Sequence, residues 1–528
     1  MKQYPGSMRQ ISLFQLVMVA FSAMIGSGWM FGLWKAATIA GPYAIFAWPI
    51  GAFIMLCLAL NYAELSANYP KSGGMARFAE LSHGALTGFI AGWATWISLI
   101  TVIPIEAIST IQYLSASHLP FLHHLYNNQS HQLNNTGFLC AVIAVFLYFL
   151  INYWSLKLFL RFTTWISVLK LAVPIMTLVA LFFHGFHYSQ VTQHIQQPLS
   201  TTMNQVFLAV ATSGIIFSFH GFQSPINLAG EVINPKKNLP LALLISIIFT
   251  FIIFELLQIV FIGAVSPEKL IHGWSNLHMH SPFVELATAL NLNFIVMMLY
   301  INATIAPSGT AITYTATASR VLSGMEKSGY MPKVLGLRHP LYQISRPAMW
   351  TNLLICIILL WFFRTWSQLI SVISACIILS YITGPVCVMV IRKQIPNSRH
   401  FVRFKGMSVI APFSFVTMSY VLYWTGWPLT AEVFLIILIG LPIGIYYQYS
   451  LKTPNKLKSI IHGSWLVAYL VSLAIISYIG NPEFGGHGLI SNSKANLLVG
   501  LFALGYFYLG CKSGWCTRHM KRWKASIN

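Results

Sequence analysis

Ala23-Met24-Ile25-Gly26-Ser27-Gly28-Trp29 interrupts an apolar stretch that runs from residue 12 to residue 40. Glycine in a helix interior costs about 1 kcal/mol against alanine, so two glycines flanking a serine predict a break in the helix. In hydrocarbon, freed backbone N–H and C=O groups must find partners, and an unwound segment survives only where it is buried or lines a cavity. The half-helix that starts after Gly28 would present N–H groups and a positive dipole end to a carboxylate. A second break reads Ser213-Gly214-Ile215-Ile216-Phe217-Ser218-Phe219-His220-Gly221-Phe222, with Pro225 just after. Carbonyls freed around Met24 and near Phe217 would accept from an ammonium group. Together the two breaks describe a site for a zwitterion, and the competing reading is that small residues here only let helices pack closely.

Outward from these breaks the chain stays apolar. Of 528 residues 56% are apolar and 8% charged, with a mean hydropathy of +0.69. Soluble domains carry roughly 25% charged residues, so a soluble enzyme, a disulfide scaffold and a disordered chain are excluded. Spanning helices need about 20 apolar residues, and about fourteen such segments are expected. They fall near 12–40, 43–63, 84–112, 137–155, 162–183, 203–229, 240–265, 282–318, 347–363, 366–391, 409–426, 430–450, 464–479 and 495–511. The first of them lacks a cleavage-type end and is expected to stay as an anchor rather than a signal peptide. The fold class is an all-α polytopic membrane protein.

The net charge of +21 sorts by side of the membrane. Twenty-six of the 31 Lys and Arg fall in alternate loops, from Lys2 and Arg9 through Arg320, Lys327 and Arg392 to Lys524. The intervening loops hold Lys269, Arg364 and Lys494, and Lys35 and Lys170 lie within spans. The positive-inside rule places both termini in the cytoplasm and explains the charge without nucleic acid. The less charged loops are rich in His, including His118, His123, His124, His131, His184, His194, His278 and His280. They read as polar loop filler, or as an outer face that gains charge as pH falls through about 6.5. The seven Cys have no metal-ligand spacing, and Cys511 and Cys516 read as core or interface thiols.

Five spans occupy 12–183 and five occupy 203–391, and an odd number per block makes the second enter the membrane from the opposite side. That is an inverted repeat, and each block contains one break. The remaining chain comprises an N-terminal tail (1–11), four further helices (409–511) and a basic tail (512–528).

At these residues the sequence resembles the amino acid–polyamine–organocation (APC) superfamily of permeases. The Gly26-Ser27-Gly28 break is followed by Ala40-Gly41-Pro42, Ala63-Glu64-Leu65 and Tyr69-Pro70-Lys71-Ser72-Gly73-Gly74. Glu231-Val232-Ile233-Asn234-Pro235-Lys236-Lys237-Asn238-Leu239-Pro240 resembles the family's motif after the second break, and Ser319-Arg320-Val321-Leu322, with Gly329-Tyr330-Met331-Pro332 after it, the stretch following its eighth span. Gly28-Trp29-Met30-Phe31-Gly32-Leu33-Trp34-Lys35 and Pro104-Ile105-Glu106-Ala107 are similar to a bacterial branch of aspartate–proton symporters. The resemblance implies a LeuT-like 5+5 inverted repeat with discontinuous first and sixth helices. It also implies alternating-access transport of amino acids, in an inner membrane, with no cofactor.

Carried over by residue, the resemblance puts a substrate carboxylate on Ser27 and Gly28, with Ile25, Gly26 and Trp29 beside them. The ammonium falls near Met24 and Phe217. Side-chain recognition falls to Phe217, Ser218, His220 and Gly221, with Thr95 on the third span. Gln223 stands where many members carry Glu, and Trp29 replaces a small aliphatic residue.

A charge in the membrane needs a reason, because insertion costs roughly 2.5–3.5 kcal/mol. Lys170 lies nine residues past Arg161, about 13 Å deep at 1.5 Å per residue. It looks like the lysine that, in proton-coupled relatives, replaces a sodium ion and joins the first and eighth spans. The alternative is a static buried pair with a carbonyl or a Glu. His220, Glu255 and Glu106 are further proton-carrying candidates, each of which could instead satisfy a local partner. Lys35 either snorkels to the outer vestibule or attracts an anionic side chain.

The expected function is proton-coupled amino acid symport, with an acidic or small polar substrate. The rivals are a sodium-independent exchanger, a non-transporting sensor and, less compatible with a chain lacking Asp and paired carboxylates, an intramembrane enzyme. Expected partners are the amino acid, protons and membrane lipid.

Overall fold

The computed structural model describes residues 11–70, 75–117, 119–127, 130, 132–154, 156–192, 199–339, 344–395, 401–450 and 456–527. Residues 1–10, the Lys71–Gly74 part of the motif at Tyr69, and His118, His131 and His194 lie outside the described residues, as does the side chain of Arg161.

The chain is almost entirely helical. Ser12 opens α1 (Leu13–Met24) with a capping box, its Oγ accepting from the Gln15 N–H while the Gln15 side-chain Oε1 accepts from the Ser12 N–H. After three non-helical residues α2 runs Gly28–Ala40, and Gly41-Pro42-Tyr43 turns it into α3 (Ala44–Asn68). A short α4 (Ala76–His83) leads to α5 (Ala85–Ile100) and α6 (Val102–Ser115). Then come α7 (Asn135–Trp154), α8 (Leu156–Gly185) and the short α9 (Tyr188–Thr192).

The second break is more fragmented. It comprises α10 (Leu199–Thr212), one turn of α11 (Ile215–Ser218) and one turn of α12 (Ser224–Asn227), followed by α13 (Pro235–Ala264). The stretch expected to be a single span over 282–318 is two helices, α14 (Pro282–Ala289) and α15 (Asn293–Lys327). They part where Asn291 takes a positive φ of 56° and the Leu292 N–H reaches back to the Ala287 carbonyl. The rest is α16 (Arg346–Phe362), α17 (Trp366–Tyr381), α18 (Thr383–Gln394), α19 (Met407–Trp424), α20 (Leu429–Ser450), α21 (Lys456–Ile479), α22 (Asn492–Ser513) and α23 (Arg518–Ile527). Tyr126–Asn127 and Gln132–Leu133 pair as a small antiparallel ribbon that the sequence did not suggest.

Eleven helical stretches among the described residues are long and apolar enough to cross a membrane, and α1 and α16 are shorter apolar helices. Burial separates interior from rim: the apolar window of α5–α6 is 89% buried and that of α17–α18 94%, against 33% for α7 and 28% for α22. On α7 the exposed residues Leu139, Ile143, Phe146, Leu147 and Ile151 form the stripe that a hydrocarbon solvent accepts.

One end of the bundle gathers the basic loops and is tied by polar contacts. Glu64 is fully buried, pairs with Arg392 at 2.5 Å and accepts from the Phe404 N–H at 2.8 Å. Asn68 caps the same loop through the Val402 N–H and carbonyl. Ile11 pairs in parallel with Val232, so the N-terminal segment meets the chain leaving the second break. The expected basic tail forms α23, which packs on α4.

Candidate functional site

The fold brings the two breaks into van der Waals contact. A Cβ on Gly221 would lie 2.8 Å from the Ala23 backbone carbon and 2.9 Å from the Met24 nitrogen, and Gly221 has a φ of +126°. Only glycine combines that conformation with that approach. A Cβ on Gly28 would meet Ser218 Oγ at 2.5 Å and Phe217 at 3.3 Å. Ser27, Trp29, Met24, Phe217, Ser218 and His220 are all buried here.

The break at Ser27 is already occupied by a carboxylate from within the chain. Glu106 on α6 accepts from the Ser27 N–H at 2.9 and 3.3 Å through its two oxygens, and a Cβ on Gly26 would collide with it. A helix N-terminus favours negative charge, so the seat expected for a substrate carboxylate holds Glu106 in this conformation. From the other side the Trp366 Nε1–H donates to Ser27 Oγ at 3.0 Å, and its ring lies 5.2 Å from that of Phe31.

Lys170 reaches the same place from α8. Its Nζ donates to the Ser22 carbonyl at 2.8 Å and to Thr310 Oγ at 2.7 Å, and the Thr310 hydroxyl lies 3.2 Å from the Ser22 carbonyl. It therefore joins α1 to α15 and lies within electrostatic reach of Glu106.

The carbonyls expected to be free are engaged. That of Met24 accepts from the Gly26 N–H at 3.2 Å and that of Phe217 from the His220 N–H at 2.9 Å. Among the described residues the His220 side chain meets no freed carbonyl: its Nδ1 lies 2.8 Å from Tyr381 Oη and its ring stacks on Tyr314 at 5.2 Å. Gln223 completes this cluster, accepting from the Tyr381 hydroxyl and from the Gly221 N–H.

Three other residues stand apart. Thr95 is buried with its hydroxyl on the Ala91 carbonyl of its own helix. Glu255 on α13 has one carboxylate oxygen buried without a hydrogen-bond partner among the described residues. Lys35 lines a cavity of about 260 Å³ at the end opposite the basic loops, together with Trp34, Gln112, His278 and Gln368.

Sequence reasoning missed Trp366, Thr310, Tyr381 and Tyr314, and weighed Glu106 without placing it in the site. The signal for Glu106 was present, an acid deep in an apolar span. The others carry none, being ordinary span residues until the helices pack.

A family model described as amino acid permease matches residues 11–441. The chain belongs to the amino acid permease family. It is 45% identical over 97% of its length to the glutamate/serine transporter AimA of Bacillus subtilis, covering 95% of that protein. It is 31% identical to the aspartate-proton symporter of the same organism, over 95% of each chain. The branched-chain amino acid permease BcaP, also from Bacillus subtilis, is 23% identical over 84% of this chain and 93% of that protein. The family and these relatives are transporters, so this permease is a multi-pass membrane transporter of amino acids and not an enzyme.

Proposed function

We propose that the permease imports an acidic or small polar amino acid by proton symport across the cytoplasmic membrane, with both termini inside. The two five-helix blocks would form an inverted repeat, and α1–α2 and α10–α12 would carry the substrate between faces by alternating access. The observation that carries the reading is the arrangement at Ser27. A lysine ties α1 to α15, and a glutamate within its reach occupies the Ser27 N–H that a substrate carboxylate would use.

Substrate and Glu106 would compete for one seat. Protonating Glu106 weakens its hold on the Ser27 N–H, because charge-assisted hydrogen bonds are roughly twice as strong as neutral ones. An incoming amino acid carboxylate would then take the N–H, and Lys170 would be left without its counter-charge until a proton leaves toward the other face. Glutamate and serine transport by AimA and aspartate–proton symport by the second relative support this choice of substrate and ion. Lys35 at the outer cavity favours an anionic side chain.

The test is radiolabelled uptake into proteoliposomes with an imposed pH gradient and no sodium, screening the twenty amino acids. Gradient-driven accumulation of glutamate, aspartate or serine is expected. Lys170→Ala and Glu106→Gln should each cut accumulation at least tenfold while exchange of internal for external substrate persists. Accumulation unchanged in both variants, or uptake only into preloaded vesicles, would overturn proton coupling.

A further inference from the structure

At the basic end lies a cavity of about 380 Å³, within the ~300–1,000 Å³ range of small-molecule sites. Four cationic side chains line it: Arg77 from α4, Arg320 and Lys327 from α15, and Arg338 from the loop after α15. Glu231 supplies the one carboxylate on its wall. Among the described residues none of the four cations forms an ion pair within 4.0 Å. Arg320 feels both Glu231 and Arg338, and Lys327 feels Arg338, Arg77 and Glu326. Glu326 and Glu80 approach Lys327 and Arg77 from outside the wall. The lining itself is thus a ring of like charges held together across a space.

Two features point to a ligand there. Ser323 lines the cavity, is 98% buried, and its hydroxyl has no hydrogen-bond partner. The charge pattern, four cations around one carboxylate, is also the complement of a dicarboxylic amino acid, which carries two carboxylates and one ammonium. A phosphate or a lipid headgroup phosphate would use the cations and leave Glu231 facing an anion.

We infer that this inner cavity is a second binding site, for a dicarboxylic amino acid, through which the substrate passes at the basic face. The inference rests on the transport reading above and extends it from the break to the inner vestibule. Glu231 takes the ammonium, the four cations share the carboxylates, and Ser323 donates its hydroxyl. Lys327 and Arg338 are exposed and keep the site solvated, so it binds weakly and releases quickly, as an exit station must.

The test measures half-saturation at the basic face, with glutamate and serine as probes, in proteoliposomes of fixed orientation. In the Lys327→Gln/Arg338→Gln variant the glutamate half-saturation should rise about tenfold and that of serine less than twofold, since roughly one charge-assisted contact is lost per side chain. Ser323→Ala should give a change of about two- to fivefold in the same direction, and Lys512→Gln, remote from the cavity, none. Melting temperatures of the purified variants check folding, which the exposed positions 327 and 338 do not endanger and which has to be verified for the buried Ser323. Equal shifts for glutamate and serine, or none, would overturn the inner site while leaving the transport reading intact. Failure of the wild-type protein to carry either amino acid would overturn the transport reading instead. Loss of activity that follows anionic lipid content, with glutamate half-saturation unmoved, would assign the cations to lipid and overturn the inference.

Discussion

Glycine at position 221 is where the two halves of the site touch, and its requirement is absolute in two ways. Its φ of +126° disfavours any side chain, and a Cβ would press to 2.8 Å against Ala23. Overpacking of this kind costs typically 1–3 kcal/mol, and the backbone conformation adds about 1–2 kcal/mol. Gly221→Ala should therefore lower stability by about 3 kcal/mol or push the breaks apart. Either way uptake should fall more than tenfold. Thermal unfolding of the purified protein and uptake into vesicles check this, and a variant with wild-type transport would show that the close contact is not needed. The breaks themselves were legible as Gly26-Ser27-Gly28 and Gly214 to Gly221, because glycine in an apolar helix is visible in one dimension. That Glu106 fills the first break, and that Trp366 covers it, was not legible. Those partners are 79 and 339 residues away in sequence, and only packing brings them near.

Among elements, α23 shows how a tail becomes structure. It places Met520 at 0% and Trp523 at 7% exposure, and the Trp523 ring meets Tyr69 edge-on at 5.0 Å. Upstream, the Thr517 hydroxyl donates to the Leu81 carbonyl and the Trp515 Nε1–H to the His83 carbonyl, so the segment is strapped along α4. At the contact Glu80 lies 3.4 Å from His519 and accepts from the Ser328 hydroxyl at 3.1 Å. Burial pushes the Glu80 carboxyl above its ordinary 4.5, and His519, Ser328 and Arg77 reverse only part of that. A raised folded-state value means that the folded protein holds more protons than the unfolded chain in that window. The contribution of Glu80 is then full below pH 4.5 and is lost as pH rises through the raised value. Melting temperature measured from pH 4.5 upward should show a falling component that Glu80→Gln removes. A parallel pH dependence in the variant would mean that another group is responsible.

For the whole molecule, the distribution of charge is what supports the proposed orientation. Twenty-six of the 31 Lys and Arg fall in one set of loops, and α4 packs against both α18 and α23, which carry several of them. A C-terminal fusion should therefore give a fluorescent cytoplasmic reporter and an inactive phosphatase reporter, and an active phosphatase would reverse the assignment. Fold class, charge asymmetry and both breaks were determined by the sequence itself. Hydropathy and helix-breaking are properties of neighbouring residues, and each segment meets the membrane separately. The split at Asn291, the seat taken by Glu106, the bridge from Lys170 to Ser22 and Thr310, and the cationic cavity at the basic end were decided only by tertiary structure. Each depends on which faces of distant helices meet, and that is settled by packing among some twenty helices at once rather than by any stretch of chain.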